Sequence, residues 1–170
     1  MRVSYSPDYT IPLPIKHPFP MTKFSCLHTI LLREELLSLA DIYEPSEISW
    51  EDLNLVHSID YLEKLRNGAL SSREERRLGL PWSNALVRRS RLAVQGTLMA
   101  ARMALEDGFA ANLAGGTHHA FPDHGEGFCV LNDMAVTAKI LMHEAEVNRA
   151  LIIDLDVHQG NGTAAAFRDD

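Results

Sequence analysis

Residues 150–163, ALIIDLDVHQGNGT, constrain this chain more than any other stretch. Leu151-Ile152-Ile153 is a short apolar run with the branched side chains expected of a buried strand. Asp154, Asp156 and His158 then arrive at every second position. In an extended chain that spacing sends all three side chains to one face. Gly160-Asn161-Gly162 breaks the strand, and residues 163–167 read as the opening of a helix. Strand, polar cluster, glycine turn and helix together describe the carboxyl edge of a parallel sheet, where open α/β folds place their sites. A lone aspartate there often only caps the next loop, and a structural hydrogen-bond knot is the alternative to a site. Two carboxylates and an imidazole together are costly to bury unless something compensates them. A divalent cation is the simplest compensation, and Asp with His is ordinary zinc chemistry.

The remaining chain supplies the elements such a sheet requires. Residues 3–5 read as a short first strand stopped by Pro7, and Pro12, Pro14, Pro18 and Pro20 make 10–24 an ordered loop. Helices are expected over 28–40 and over 50–56, the latter behind a capping box at Ser49-Trp50-Glu51-Asp52. A further helix over 59–66 stops at Asn67-Gly68, whereas 71–77 is charged and reads as solvated surface. The longest helix spans 84–106, with Leu92, Gly96, Met99 and Met103 on one face and Gly108 as its end. A brief strand at 110–114, a loop over 115–127 and a helix over 132–144 lead into the strand at 150. Helix and strand alternate in this half, which favours a parallel sheet.

The 170 residues amount to one domain with a real core. A net charge of −7 argues against autonomous nucleic-acid binding, which needs a basic patch, and is compatible with cationic peptide substrates. Cys26 and Cys129 form no disulfide framework, so a reducing compartment is the expectation. The first ten residues lack a signal-peptide pattern, and no apolar run approaches the ~20 residues of a membrane span. A soluble, cytoplasmic protein with no membrane partner is therefore expected.

A second constellation, Gly115-Gly116-Thr117-His118-His119-Ala120, also follows a predicted strand and belongs on the same sheet edge. Adjacent imidazoles suit a relay in which one ring is the base and the other supports charge. Asp154 is the obvious carboxylate to tune either ring. In Gly125-Glu126-Gly127-Phe128-Cys129 an aromatic sits beside glycine before a helix, so Phe128 suits either the wall of a slot or the core. Cys129 reads as a packed thiol, and His28, His57, His124 and His143 as structural or surface residues.

Taken together, GGTHHAFPDHGEGFCVLND followed by IIDLDVHQGNGT resembles the histone deacetylase superfamily of zinc-dependent amidohydrolases. His17-Pro18-Phe19 with Lys23, and His-Gln-Gly-Asn-Gly after the aspartates, are similar to its class IV branch and bacterial relatives. The resemblance runs over nearly the whole chain. It implies an α/β fold of the arginase type, a three-layer open parallel sheet with helices on both faces. It implies that Asp156 and His158 are zinc ligands, that His119 is the general base, and that His118, paired with Asp154, stabilises charge and assists the leaving amine. Asp154 would also join main-chain carbonyls around a structural potassium ion, and Gly127 and Phe128 would wall the passage for the acyl-lysine of a protein or a small acylated amine. Asn161 stands where several members carry an Asp supporting the second histidine. Family members are much longer and add a third zinc ligand, a second tunnel aromatic and usually a carbonyl-polarising Tyr. On this resemblance residues 1–170 are the N-terminal portion of one deacetylase domain, incomplete as a catalyst by themselves.

Chemistry is consistent with that assignment, since zinc brings the pKa of bound water to about 7. Two other readings compete. One is a catalytically incomplete deacetylase-like fold acting as a binding module. The other is a haloacid-dehalogenase-type phosphotransferase using Asp-x-Asp with magnesium, which has no use for His118-His119.

Overall fold

A computed structural model gives the architecture and describes residues 1–169. Three short parallel strands lie side by side: β1 (Val3–Ser4) in the centre, flanked by β2 (Ile42–Tyr43) and β3 (Ala111–Asn112). Val3 pairs with Ile42 and Ala111, and Ser4 pairs with Tyr43 and Asn112. The chain is α/β with a small parallel sheet, in line with the alternation of elements. β1 and β3 fall within the expected strands, whereas β2 carried no anticipating signal.

Local chemistry places most of the helices. Serine side chains accept from a backbone N–H three residues on at the starts of α2 (Trp50–Leu53), α3 (Ile59–Asn67) and α5 (Asn84–Asp107). Gly68 ends α3 and Gly79 ends α4 (Ser72–Leu78), both in the left-handed region. The segment expected to be plain surface is in fact α4, opened by a reciprocal capping box between Ser71 and Glu74. That Ser-x-x-Glu signal was present in the sequence. The first helix also differs from expectation: α1 is Lys23–Arg33, not 28–40. It ends where Glu35 adopts φ 54° and the N–H groups of Leu36 and Leu37 both turn back to the Leu31 carbonyl.

α5 is the central support of the fold. It packs against β1, β3, the turn at Pro7–Tyr9 and α6 (Asp133–His143). At Gly96 a Cβ would fall 2.2 Å from the Tyr9 hydroxyl and 2.7 Å from Ser4 Oγ, so only glycine lets the sheet approach this closely. The core behind it includes Tyr9, Leu53, Leu65, Leu86, Leu92, Leu131 and Val136.

Residues 150–157 depart from expectation. They have no regular structure, bend at 156–158 and pair with no strand among the described residues, and Leu151, Ile153, Leu155 and Val157 are all exposed. Two local bonds occupy the backbone instead. Asp156 N–H donates to Asp154 Oδ1 at 3.0 Å, and His158 N–H donates to Asp156 Oδ1 at 2.7 Å. Such side-chain bonds two residues back compete directly with a ladder. The chain then enters α7 (Asn161–Ala166), two residues earlier than expected.

Candidate active site

The two polar constellations meet at one place. His118 Nδ1 lies 2.5 Å from Asp154 Oδ2, and His118 Nε2 lies 4.0 Å from Asp156 Oδ1. The His118 and His119 rings are 4.3 Å apart between centroids, and His119 stands edge-on to His158 at 5.8 Å. His119 Nδ1 is 2.6 Å from Asn161 Oδ1. His118, His119, Asp154, Asp156, His158 and Asn161 are therefore brought together, with Asn161 behind the second histidine as the resemblance implied. They are gathered by an irregular segment that bends at 156–158 and not by a strand edge.

Hydrogen bonding dictates the proton positions on both rings. The carboxylate of Asp154 only accepts, so His118 Nδ1 is the donor, and in the neutral ring the lone pair lies on Nε2. The amide of Asn161 is oriented at both ends: Gly162 N–H donates to its Oδ1 at 3.1 Å, and its Nδ2 donates to Glu126 Oε1 at 3.3 Å. The atom facing His119 is thus an acceptor, so His119 Nδ1 is likewise the donor, and in the neutral ring the lone pair lies on Nε2. The His118 bond, and then the Asp156 N–H, hold the Asp154 carboxyl below its usual range. Asp156 is lowered by the backbone N–H and then the ring of His158.

The loop carrying the histidines is fixed from the start of α6. Buried Asp133 accepts from Thr117 N at 2.7 Å, Thr117 Oγ1 at 2.6 Å, Gly116 N at 3.1 Å and Thr97 Oγ1 at 2.6 Å. Asn132 caps α6 through Ala135 N while its Nδ2 donates to the Ala120 carbonyl and to Thr163 Oγ1. Behind it, His57 Nδ1 donates to the Phe121 carbonyl, and its Nε2 accepts from Asn132 N–H at 3.0 Å. Burial pushes the His57 pKa down to about 4, which keeps the ring neutral in this role. His57 is structural, as expected, and the loop leans on it.

The opposite wall is a tight turn at Gly127-Phe128, both residues with positive φ (55° and 67°), closed by Cys129 N–H donating to the Glu126 carbonyl at 2.8 Å. A bulky residue in that region is strained, and such strain gathers at binding sites. The end of α4 holds the turn, with Phe128 N–H donating to the Leu78 carbonyl at 2.7 Å. Gly127 serves twice, because a Cβ there would also meet His119 Cδ2 at 2.8 Å. Phe128 packs against Phe19 at 5.2 Å between centroids. His17 orients Phe19 by accepting its N–H on Nδ1 and donating from Nε2 to the Gly79 carbonyl at 2.9 Å. Together these groups enclose a cleft of about 350 Å³ over His118, His119, Asp156 and His158.

Sequence reasoning did not assign Arg89 or Glu126 to this region. Arg89 is buried with Nε donating to the Tyr9 carbonyl, and burial lowers its pKa to about 10. Burial, then Arg89, lowers Lys23 beside it. A buried arginine on a helix gives no sequence signal beyond its charge. Cys129 is a packed thiol, with burial raising its pKa to about 11.

Asp156 and His158 offer a carboxylate oxygen and an imidazole nitrogen 2.9 Å apart beside the cleft, a donor pair suited to zinc. Catalytic zinc sites use three protein ligands. Among the described residues no group of three His, Cys, Asp or Glu is placed to hold a metal ion. The residues present thus fit two of the three positions.

The fold and this double-histidine cleft define an α/β protein of the deacetylase type. The chain belongs to the histone deacetylase family, whose domain model matches residues 17–170. It is similar to an uncharacterised protein of Picosynechococcus sp., with 48% identity over 99% of this chain and 56% of that protein. Similarity to histone deacetylase 2 of Arabidopsis thaliana is 34% identity over 100% of this chain and 46% of the relative. The crystal structure of an HDAC homolog complexed with SAHA superposes with a TM-score of 0.84 at 28% identity, covering 99% of this chain and 48% of that one. The chain thus spans about half the length of the relatives it matches. No described helix is long and apolar enough to cross a membrane.

Proposed function

We propose that residues 1–170 form the N-terminal portion of a zinc-dependent amidohydrolase that removes acyl groups, acetyl foremost, from the lysine side chain of a protein or from a related small amine. The observation supporting it most directly is the coincidence of two oriented imidazoles, His118 on Asp154 and His119 on Asn161, with the Asp156–His158 donor pair at one cleft. In this reading Asp156 and His158 would be two of the zinc ligands, and a bound ion would supply a water that is nucleophilic near neutral pH.

His119 takes a proton from the attacking water at Nε2, the only ring nitrogen left with a lone pair. His118, backed by the Asp154 carboxylate, stabilises the charge that develops and helps protonate the leaving amine. Gly127 and Phe128, with Phe19 packed against Phe128, wall the passage for the alkyl stem. An acylated amine is neutral, so the main penalty for burying that side chain is removed. Asp154 with neighbouring main-chain carbonyls is also the proposed potassium site. The rest of the whole protein supplies the third zinc ligand and completes a three-layer sheet covered on both faces.

The test uses the whole protein with an ε-acetyl-lysine peptide and a zinc determination. Asp156→Ala loses zinc and hydrolysis together. His119→Ala keeps zinc and loses roughly 10²–10⁴-fold in turnover. Equal loss of metal in both variants would make His119 a ligand and refute its role as base. Peptide binding without turnover in the parent protein would favour the binding-module reading, which the two-donor site supports.

A further inference from the structure

Glu126 lies outside the roles assigned so far, yet it completes a chain of hydrogen bonds that begins at His119. Its Oε1 accepts from Asn161 Nδ2 at 3.3 Å, and Asn161 Oδ1 faces His119 Nδ1 at 2.6 Å. The Glu126 backbone is pinned on both sides of the Gly127-Phe128 turn, with N–H to the Cys129 carbonyl at 3.1 Å and the reciprocal bond at 2.8 Å. The carboxylate is half-buried, and its second oxygen lies 3.7 Å from His124 Nε2. His124 is itself held by Asp123 at 2.6 Å and stacked on Phe121. Each link therefore has its orientation set by the next.

The chemistry of this arrangement differs between the two histidines. His118 meets a carboxylate directly at Asp154, whereas His119 meets a neutral amide. An amide can present either end to the ring, and only its oxygen end preserves Nδ1–H and leaves Nε2 free. The carboxylate of Glu126 accepts only, so, with Gly162 N–H on Oδ1, it selects the nitrogen end for itself and the oxygen end for His119. An acceptor charge on Nδ2 also polarises the amide and strengthens Oδ1 as an acceptor.

We propose that Glu126 is the positioning carboxylate of the second histidine, acting on His119 through the Asn161 amide. The inference rests on the catalytic reading of His119 and deepens it. Glu126 touches neither substrate nor metal in this role.

Two measurements test it. In the whole protein, Glu126→Ala is expected to lower kcat on an ε-acetyl-lysine peptide about tenfold with KM within about twofold, the low end of what an outer hydrogen-bond partner contributes. Glu126→Gln restores an acceptor for Asn161 Nδ2 and recovers most of that loss. In an Asn161→Asp background, where a carboxylate reaches His119 directly, Glu126→Ala costs no further activity. Equal losses in both backgrounds, or no loss in the first, would overturn the proposal. The second measurement needs no turnover: in the ¹⁵N-histidine-labelled 170-residue chain, the hydrogen-bonded Nδ1–H proton of His119 gives a downfield resonance. Glu126→Ala shifts it upfield or broadens it, and Glu126→Gln restores it. An unchanged resonance would overturn the inference. A moved resonance in a protein lacking hydrolysis would sustain the link and refute the deacylase reading.

Discussion

Asp133 is the residue on which the histidine loop hangs, and Asp133→Asn measures that support at constant volume. The carboxylate is buried and accepts two backbone N–H groups, Thr117 on Oδ1 and Gly116 on Oδ2, besides two hydroxyls. An amide offers one acceptor end, so either orientation leaves one of those N–H groups facing an NH₂. The hydroxyls adapt, because Thr97 has the Ala93 carbonyl and Thr117 the Leu131 carbonyl as alternatives. The backbone has no such freedom. A stranded buried donor costs about 1–3 kcal/mol, and the surviving N–H bond loses its charge assistance, about 1 kcal/mol more. The expected loss is about 2–4 kcal/mol, set against the ~5–15 kcal/mol that holds a typical domain together. Equilibrium urea unfolding of the 170-residue chain, with a slope of about 2 kcal/mol/M, should show the midpoint falling by about 1–2 M. A fall below about 0.3 M would mean that the loop does not depend on the carboxylate, and the account of how His118 and His119 are placed would be wrong.

Thr137, one turn further along α6, is expected to show the opposite sign in the same assay. Its buried hydroxyl has no hydrogen-bond partner among the described residues, so Thr137→Val should raise stability by about 1 kcal/mol. His57 predicts a pH dependence. Its folded pKa of about 4 lies below the ordinary 6.5, so its contribution is fully present above pH 6.5 and is lost as pH falls toward 4. The shift corresponds to on the order of 3 kcal/mol, and the difference between parent and His57→Gln in acid unfolding should isolate it. Gly127→Ala combines a strained φ with a Cβ driven against the His119 ring. Turnover of the whole protein should fall by roughly 10²-fold while stability falls by only about 1–2 kcal/mol, and equal kcat in parent and variant would count against His119 as the base.

Local chemistry made much of this protein legible in its sequence. Caps and stops act within four residues, so Ser49 and Asn67-Gly68 announced their elements correctly, and Gly108 marked the end of α5. Asp154, Asp156 and His158 do gather beside the histidines, but through a segment that bends at 156–158 and not through alternation along a strand. The strand expected over 150–157 did not form, since a ladder needs a neighbour and the two aspartates satisfied the nearby N–H groups themselves. Pairing across the chain was legible only where the His118–Asp154 reading and the family resemblance supplied it, as for Asn161 behind the second histidine. Nothing local states that Glu126 lies behind the Asn161 amide that faces His119, or that Asp133 gathers donors from Thr97, Gly116 and Thr117. Those partners lie 16 to 42 residues apart. They meet because α5 packs on the sheet and α6 packs on α5, which brings the start of α6 beside the histidine loop. Residue type and spacing determined which groups were available for chemistry. The packing of helices on the sheet decided which of them touch, because a hydrogen bond is set by distances of a few tenths of an ångström that only tertiary contacts fix.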